Sequence, residues 1–225
     1  MTAVLDGRVA VVTGAGGGLG SACAEALAIA GASLVLIGRS QRPLERVAEA
    51  TGGRVIVCDV SHGTHVRDVI RSQHAVDILV TCAGGNRPEP FLDVDERSLE
   101  WAWAVNVRGA FLAAQGAALR MRERGDAGAI VHVTSQMGHV GAANRSVYCA
   151  TKHAVEGMTK ACAIELAPHG IRVNAVAPTF VETPMTRPFL AAAHDREAIL
   201  DRIPLGRLGM PSEITLVELG GDAPA

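Results

Sequence analysis

The sequence predicts an α/β fold, a single doubly wound sheet of six parallel strands. Three observations carry that prediction. Short β-branched apolar runs alternate with longer helical patterns, so successive parallel strands are joined by helical crossovers. The runs are apolar throughout, as strands covered on both faces require. The first run leads directly into five glycines within seven residues, Gly14 to Gly20, and that turn opens a helix.

Taken in order, Arg8 to Thr13 is the first strand and Ser21 to Ala30 an Ala-rich helix ended by Gly31. Ser33 to Ile37 is the second strand, and Pro43 to Ala50 a helix stopped by Gly52-Gly53. Arg54 to Cys58 is the third strand, ending in Asp59, and a short polar helix follows over Thr64 to Gln73. Asp77 to Thr81 is the fourth strand, followed by Gly84-Gly85 and a proline-containing loop. One long helix is expected over Glu96 to Arg124, then a fifth strand over Ala129 to Thr134. Val147 to Ala167 is helical, Ile171 to Ala177 is the sixth strand, and Thr183 to Ile203 reads as mobile or partly helical. Pro211 to Leu219 is a last helix with proline in its first turn. No linker or repeat divides residues 1–225, so one domain is expected.

Composition narrows the function classes. The chain is 48% hydrophobic and 20% charged, enough to bury a sizeable core. A net charge of −2 shows no electrostatic footprint for nucleic acid or an anionic membrane. No apolar stretch approaches membrane-span length. Cys23, Cys58, Cys82, Cys149 and Cys162 are odd in number, widely spaced and set in apolar segments. They read as buried thiols of a reducing compartment, so the cytoplasm is the expected location by default. His62 and His65 near Asp59 have no evident third ligand, so no metal site is expected.

The chemistry concentrates between Ser135 and Lys152. Tyr148 and Lys152 are four residues apart, one turn along one helical face. A tyrosine ordinarily titrates at about 10, and an ammonium within roughly 4–6 Å favours the phenolate. A phenol tuned that way can exchange a proton with a substrate oxygen. Ser135 ends the fifth strand, where its hydroxyl could hold the same oxygen. Taken alone, a Tyr and a Lys at this spacing are more often structural than catalytic. The glycine turn is the second feature. Its glycines let backbone approach a pyrophosphate at a helix N-terminus.

Thr13-Gly14-x-x-x-Gly18-x-Gly20 together with Tyr148-x-x-x-Lys152 resembles the short-chain dehydrogenase/reductase family, in its non-extended branch. Asn106, Ser135, Tyr148 and Lys152 match the family's catalytic tetrad in order. The resemblance implies a Rossmann-like sheet and an NAD(P)-dependent oxidoreductase that interconverts a secondary alcohol and a ketone. Tyr148 would be the general acid/base, and Ser135 would position the substrate oxygen. Lys152 would lower the Tyr148 pKa and bind the nicotinamide ribose, and Asn106 would hold a relay water. Cofactor contacts are implied at Gly14, Gly16, Gly18, Leu19 and Gly20, at Asp59 and Val60 beside the adenine, and at Ala83 and Gly84. Pro178 and Thr183 would border the nicotinamide.

Three features set this chain apart within the resemblance. After the fourth strand the family's paired asparagines are replaced by Thr81-Cys82, which bears on sheet bracing more than on catalysis. At the end of the second strand, where the family's NAD users carry an acid, stand Gly38 and Arg39. A guanidinium suits a 2′-phosphate, so NADP is favoured, with NAD left open by Arg39 merely stacking on adenine. The family's seventh strand has no counterpart before Ala225. A homo-oligomer, dimer or tetramer, is implied, with a dimer expected through the helices over 96–124 and 147–167. The sixth-strand edge is then covered by 183–219 or left weak. Arg145, near the pocket mouth, could bind a carboxylate or sugar hydroxyls, or stay solvated, and the expected substrate is small and polar: a polyol, sugar, or hydroxy or keto acid. The competing readings are a catalytically inactive dinucleotide-binding protein or a truncated family member. An extended-branch epimerase would need a larger C-terminal region.

Overall fold

The computed structural model describes residues 4–190 and 193–219. Six parallel strands form one sheet in the order β3-β2-β1-β4-β5-β6. They are β1 (Val9–Thr13), β2 (Ser33–Gly38), β3 (Arg54–Val57), β4 (Ile78–Thr81), β5 (Gly128–Val133) and β6 (Ile171–Val176). The order reverses between β1 and β4, whose registers pair Val11 with Leu79 and Thr13 with Thr81. A crevice opens outside the carboxyl ends of the strands at such a reversal.

Alternate residues of each strand serve two cores, because successive side chains point to opposite faces. Val11, Val35, Ile37, Leu79 and Ile130 face one helical layer. It is built from α3 (His65–Arg71), α5 (Gly109–Arg124) and α6 (Ser146–Leu166). Ala10, Val12, Leu34, Leu36 and Val80 face the other. That layer holds α1 (Gly18–Ile29) and α2 (Gln41–Thr51). The expectation of strands apolar throughout holds for the central ones and fails at the margins. β6 alternates buried Ile171 and Val173 with exposed Arg172 and Asn174, because only one of its faces is covered. In β3 no residue is fully buried.

Several boundaries shift. Helix α1 starts at Gly18, inside the glycine turn, and α2 starts at Gln41, ahead of Pro43. The long helix expected over 96–124 is three pieces: α4 (Glu96–Ala102), a π-helical turn (Trp103–Arg108) and α5. Asp95 caps α4, its carboxylate accepting the Ser98 amide at 2.7 Å. Past β6, Arg187–Leu190 is a 3-10 turn and α7 spans Ala193–Leu200. A parallel bridge joins Val181 to Gly209 before α8 (Pro211–Leu219). Helix α8 packs on α1 and reaches β6, so the 183–219 segment does return to the sixth strand. Cys23 and Cys58 are buried as expected, whereas Cys82, Cys149 and Cys162 are half-buried. Among the described residues no helix is long and apolar enough to cross a membrane.

Candidate active site

Strand β1 delivers the chain into the glycine turn at the sheet's reversal point. Gly14 has φ +68°, in the left-handed region that glycine adopts at little cost. A Cβ on Gly14 would stand 2.7 Å from the Ala83 amide nitrogen, so the turn and the stretch after β4 lie backbone against backbone. Thr13 fastens them: its carbonyl accepts the Cys82 amide at 3.1 Å and its hydroxyl the Ala83 amide at 3.4 Å. A Cβ on Gly20 would collide with the Gly14 carbonyl oxygen. One on Gly16 would come 2.8 Å from Pro43, and one on Gly18 would come 2.9 Å from Thr183. The first-turn amides of α1 carry no side-chain cap, an arrangement suited to cradling a phosphate group.

A cavity of about 600 Å³ runs from this cradle. Gly14, Gly16, Gly18, Leu19, Gly20, Arg39, Asp59, Val60, Ala83, Gly84 and Thr183 all border it, which gathers most of the expected cofactor contacts into one space. Arg39 and Asp59 stand together at one end. Burial alone would raise the Asp59 pKa, but hydrogen bonds from the Ser61 hydroxyl and amide, with the charges of His62 and Arg39, hold it below the usual carboxylate value. Trp101, Asn86, Arg87, Pro184 and Met185 also border the cavity. Trp101 stands two residues before Trp103, too near in sequence for the two to share a helical face. Trp101 turns to the cavity beneath the Arg87 guanidinium, 3.8 Å from its centroid, and Trp103 is partly exposed. A second cavity, about 460 Å³, opens at the amino ends of β1 to β3 around Ser33, Arg54 and Gln73, and no expected site residue borders it.

Asn106, Ser135, Tyr148 and Lys152 meet beyond Gly84. The Lys152 ammonium donates to the Val133 carbonyl at 2.9 Å and lies 5.7 Å from the Tyr148 ring centroid. A Cβ on Gly84 would stand 3.4 Å from Asn106 Oδ1 and 3.8 Å from Lys152 Nζ, so Gly84 joins the cavity to the tetrad. The π-helical turn swings Asn106 inward. Its Oδ1 accepts the Gly85 amide at 2.8 Å, and its Nδ2 donates to the Gly85 carbonyl at 2.9 Å and to Thr151 Oγ1 at 3.1 Å. Thr151 donates in turn to the Tyr148 carbonyl at 2.8 Å. Ser135, extended at the end of β5, accepts the Met137 amide at 3.2 Å and hydrogen-bonds Tyr148. Pro178 is buried alongside, its carbonyl accepting the Gln136 amide at 2.9 Å.

The electrostatics correct one expectation. The Tyr148 pKa is raised, because desolvation outweighs the Ser135 hydrogen bond and the nearby Arg145 charge. The Lys152 ammonium, 5.7 Å from the ring centroid, does not reverse that direction. Burial acts on Lys152 too, bringing it down to about 8 against the opposing pull of Cys82 and Glu156. Arg145 follows Asn144, a non-glycine residue at φ +58°, and that turn sets its guanidinium within electrostatic reach of Tyr148. Strand β5 also carries His132, fully buried and held neutral at pH 7 by a pKa of about 4, its Nδ1 2.8 Å from Thr81 Oγ1. This pair braces β4 to β5 beside the position where the family's asparagines are missing.

Comparison with known proteins decides the family. Residues 8–193 match the family model described as short chain dehydrogenase. The chain belongs to the short-chain dehydrogenase family. Among curated relatives of this family, L-xylulose reductase of Mesocricetus auratus is 42% identical over 204 residues, covering 90% of this chain and 84% of its own. Galactitol 2-dehydrogenase (L-tagatose-forming) of Cereibacter sphaeroides is 40% identical over 231 residues, covering 98% and 90%. Among solved structures, a gluconate 5-dehydrogenase from Burkholderia cenocepacia J2315 in complex with NADP and tartrate superposes with a TM-score of 0.89 at 32% identity, covering 96% of this chain and 88% of that one. The protein is thus a short-chain dehydrogenase/reductase, an oxidoreductase on a six-stranded Rossmann-like sheet.

Proposed function

We propose that the protein interconverts a secondary alcohol and a ketone on a small polyol or sugar, using NADP. The observation that carries this reading is the continuity of the site: one cavity leads from the glycine cradle past Ala83 to Gly84, and Gly84 lies against Lys152 and Asn106. The cradle suits the pyrophosphate, and Lys152, with one hydrogen on Val133, has donors left for the nicotinamide ribose. Arg39 would pair with the 2′-phosphate, and the NADP in the B. cenocepacia relative supports that choice. Asp59 opposes it in part, its charge lying near the same guanidinium. NAD remains the second reading on that account.

A bound nicotinamide supplies hydride transfer. The chain's own residues handle the oxygen and its proton. Ser135 and Tyr148 hold the substrate oxygen between their hydroxyls. Burial keeps the Tyr148 phenol protonated, so in the ketone-reducing direction it donates that proton as negative charge grows on the oxygen. In the reverse direction the Tyr148 oxygen takes the hydroxyl proton, and the Lys152 ammonium faces the resulting phenolate. Both Asn106 Nδ2 hydrogens are engaged. A relay water would therefore bind its backbone carbonyl or the second lone pair of Oδ1. Arg145 would hydrogen-bond a substrate hydroxyl, a role suited to the sugar and polyol names of the relatives. We also propose a homodimer through α4–α5 and α6.

The test is a panel of pentuloses, hexuloses and polyols with NADPH and NADP, repeated with NADH and NAD. The expected result is turnover of a keto sugar with a higher kcat/KM for NADPH. A clear preference for NADH would reject the role of Arg39, and no turnover of any keto sugar or polyol would reject the substrate class.

A further inference from the structure

We propose that Cys82 and Cys23 form a peroxide-sensitive thiol pair in the wall of the cofactor cavity, whose cross-linking excludes the dinucleotide. The inference rests on the reading of that cavity as the dinucleotide site. Cys82 follows β4, borders the cavity and is half-buried. Its sulfur lies 3.8 Å from that of Cys23, a fully buried residue of α1. The two thiols are separated by 59 positions in sequence, and the fold alone brings them together. A disulfide needs a sulfur separation of about 2.05 Å. The pair must therefore close by about 1.8 Å through side-chain rotation and a small shift of α1 or the end of β4.

The chemistry balances with a peroxide as oxidant. The Cys82 sulfur attacks one peroxide oxygen, the O–O bond breaks, and water leaves a sulfenic acid behind. The Cys23 sulfur then attacks the Cys82 sulfur. The S–O bond breaks, and the departing hydroxide takes the Cys23 proton and leaves as a second water. Two thiols have lost two electrons to the peroxide, and an added dithiol reverses the step. Exposure selects Cys82 as the first site. Cys58 also borders the cavity, but it is only 3% exposed, and burial with the Asp59 charge raises its pKa.

Closure of the pair acts on the cradle directly. Cys82 and Ala83 are hydrogen-bonded to Thr13, and Ala83 lies against the backbone of Gly14. Drawing Cys82 toward α1 therefore displaces the junction that shapes the phosphate cradle. A bound dinucleotide would in turn cover Cys82.

The experiment treats reduced, cofactor-free protein with hydrogen peroxide, removes the oxidant, and measures NADPH affinity by fluorescence and disulfides by non-reducing peptide mapping. The expected result is a Cys23–Cys82 linked peptide and a loss of affinity of about tenfold or more. Dithiothreitol should restore the affinity, and NADPH present during treatment should prevent the loss. Cys23→Ala should keep its affinity under the same treatment and carry a dimedone-trappable sulfenic acid on Cys82. Absence of the linked peptide, or an equal loss of affinity in Cys23→Ala, would overturn the proposal. Failure of the reduced protein to bind NADPH would overturn the cavity reading instead, while peptide mapping still decides the thiol pair.

Discussion

Lys152 holds an ammonium in a buried position, and the fold bears a standing penalty for it. Its pKa of about 8 lies below the unfolded lysine value of about 10.5. Between those values the unfolded chain binds more protons, so stability rises with pH from about 8 to about 10.5. Below about 8 the penalty is fully felt, on the order of 3 kcal/mol. Lys152→Met keeps the aliphatic stem, removes the charge, and forfeits the Val133 hydrogen bond, a net contribution of about 1 kcal/mol. The variant should melt roughly 4–8 °C higher at pH 7 and lose turnover. Thermal melts at pH 7 and pH 10 check this. An unchanged or lower melting temperature at pH 7 would show that the ammonium is not a burden. At this scale the sequence was a partial guide. Spacing placed Tyr148 and Lys152 on one face, but the sign of the Tyr148 shift depends on desolvation, which is set by neighbours distant along the chain. His132 and Thr81 gave no sequence signal as a pair, because their contact arises only from the β4–β5 register.

Among the elements, the α4–π–α5 rod and α6 are the most informative. A continuous apolar periodicity hid the π-helical turn, since one inserted residue changes the facing of side chains without interrupting the helical pattern. That turn is what directs Asn106 inward, so the site residue was legible and its means of placement was not. The outer faces of these helices leave Phe111 46% and Ile164 78% exposed, with Leu99 and Trp103 also partly exposed. Apolar side chains on two long helices favour association with a second copy. Size exclusion with light scattering should show a dimer, and Phe111→Glu should shift it toward monomer at low concentration. Wild-type protein that runs as a monomer across the concentration range would reject this interface.

For the molecule as a whole, the six parallel strands and their helical crossovers were readable in sequence, whereas their order in the sheet came from the structure. Apolar runs placed all six strands to within a residue or two, and the glycine turn was read as a pyrophosphate site before the sheet's reversal beside it was known. Coverage at the sheet margins and the path of residues 181–209 were not legible, because both depend on tertiary packing. In the proposed function Tyr148 passes the proton and the glycine cradle binds cofactor independently, because the cradle lies at one end of the cavity and the half-buried Tyr148 stands with Lys152 beyond Gly84. The most direct measurement is kcat/KM for a keto sugar in Tyr148→Phe, with NADPH affinity determined on the same preparation. The account predicts a fall of about 10²–10⁴-fold with NADPH affinity unchanged. Retention of most of the wild-type turnover would contradict it.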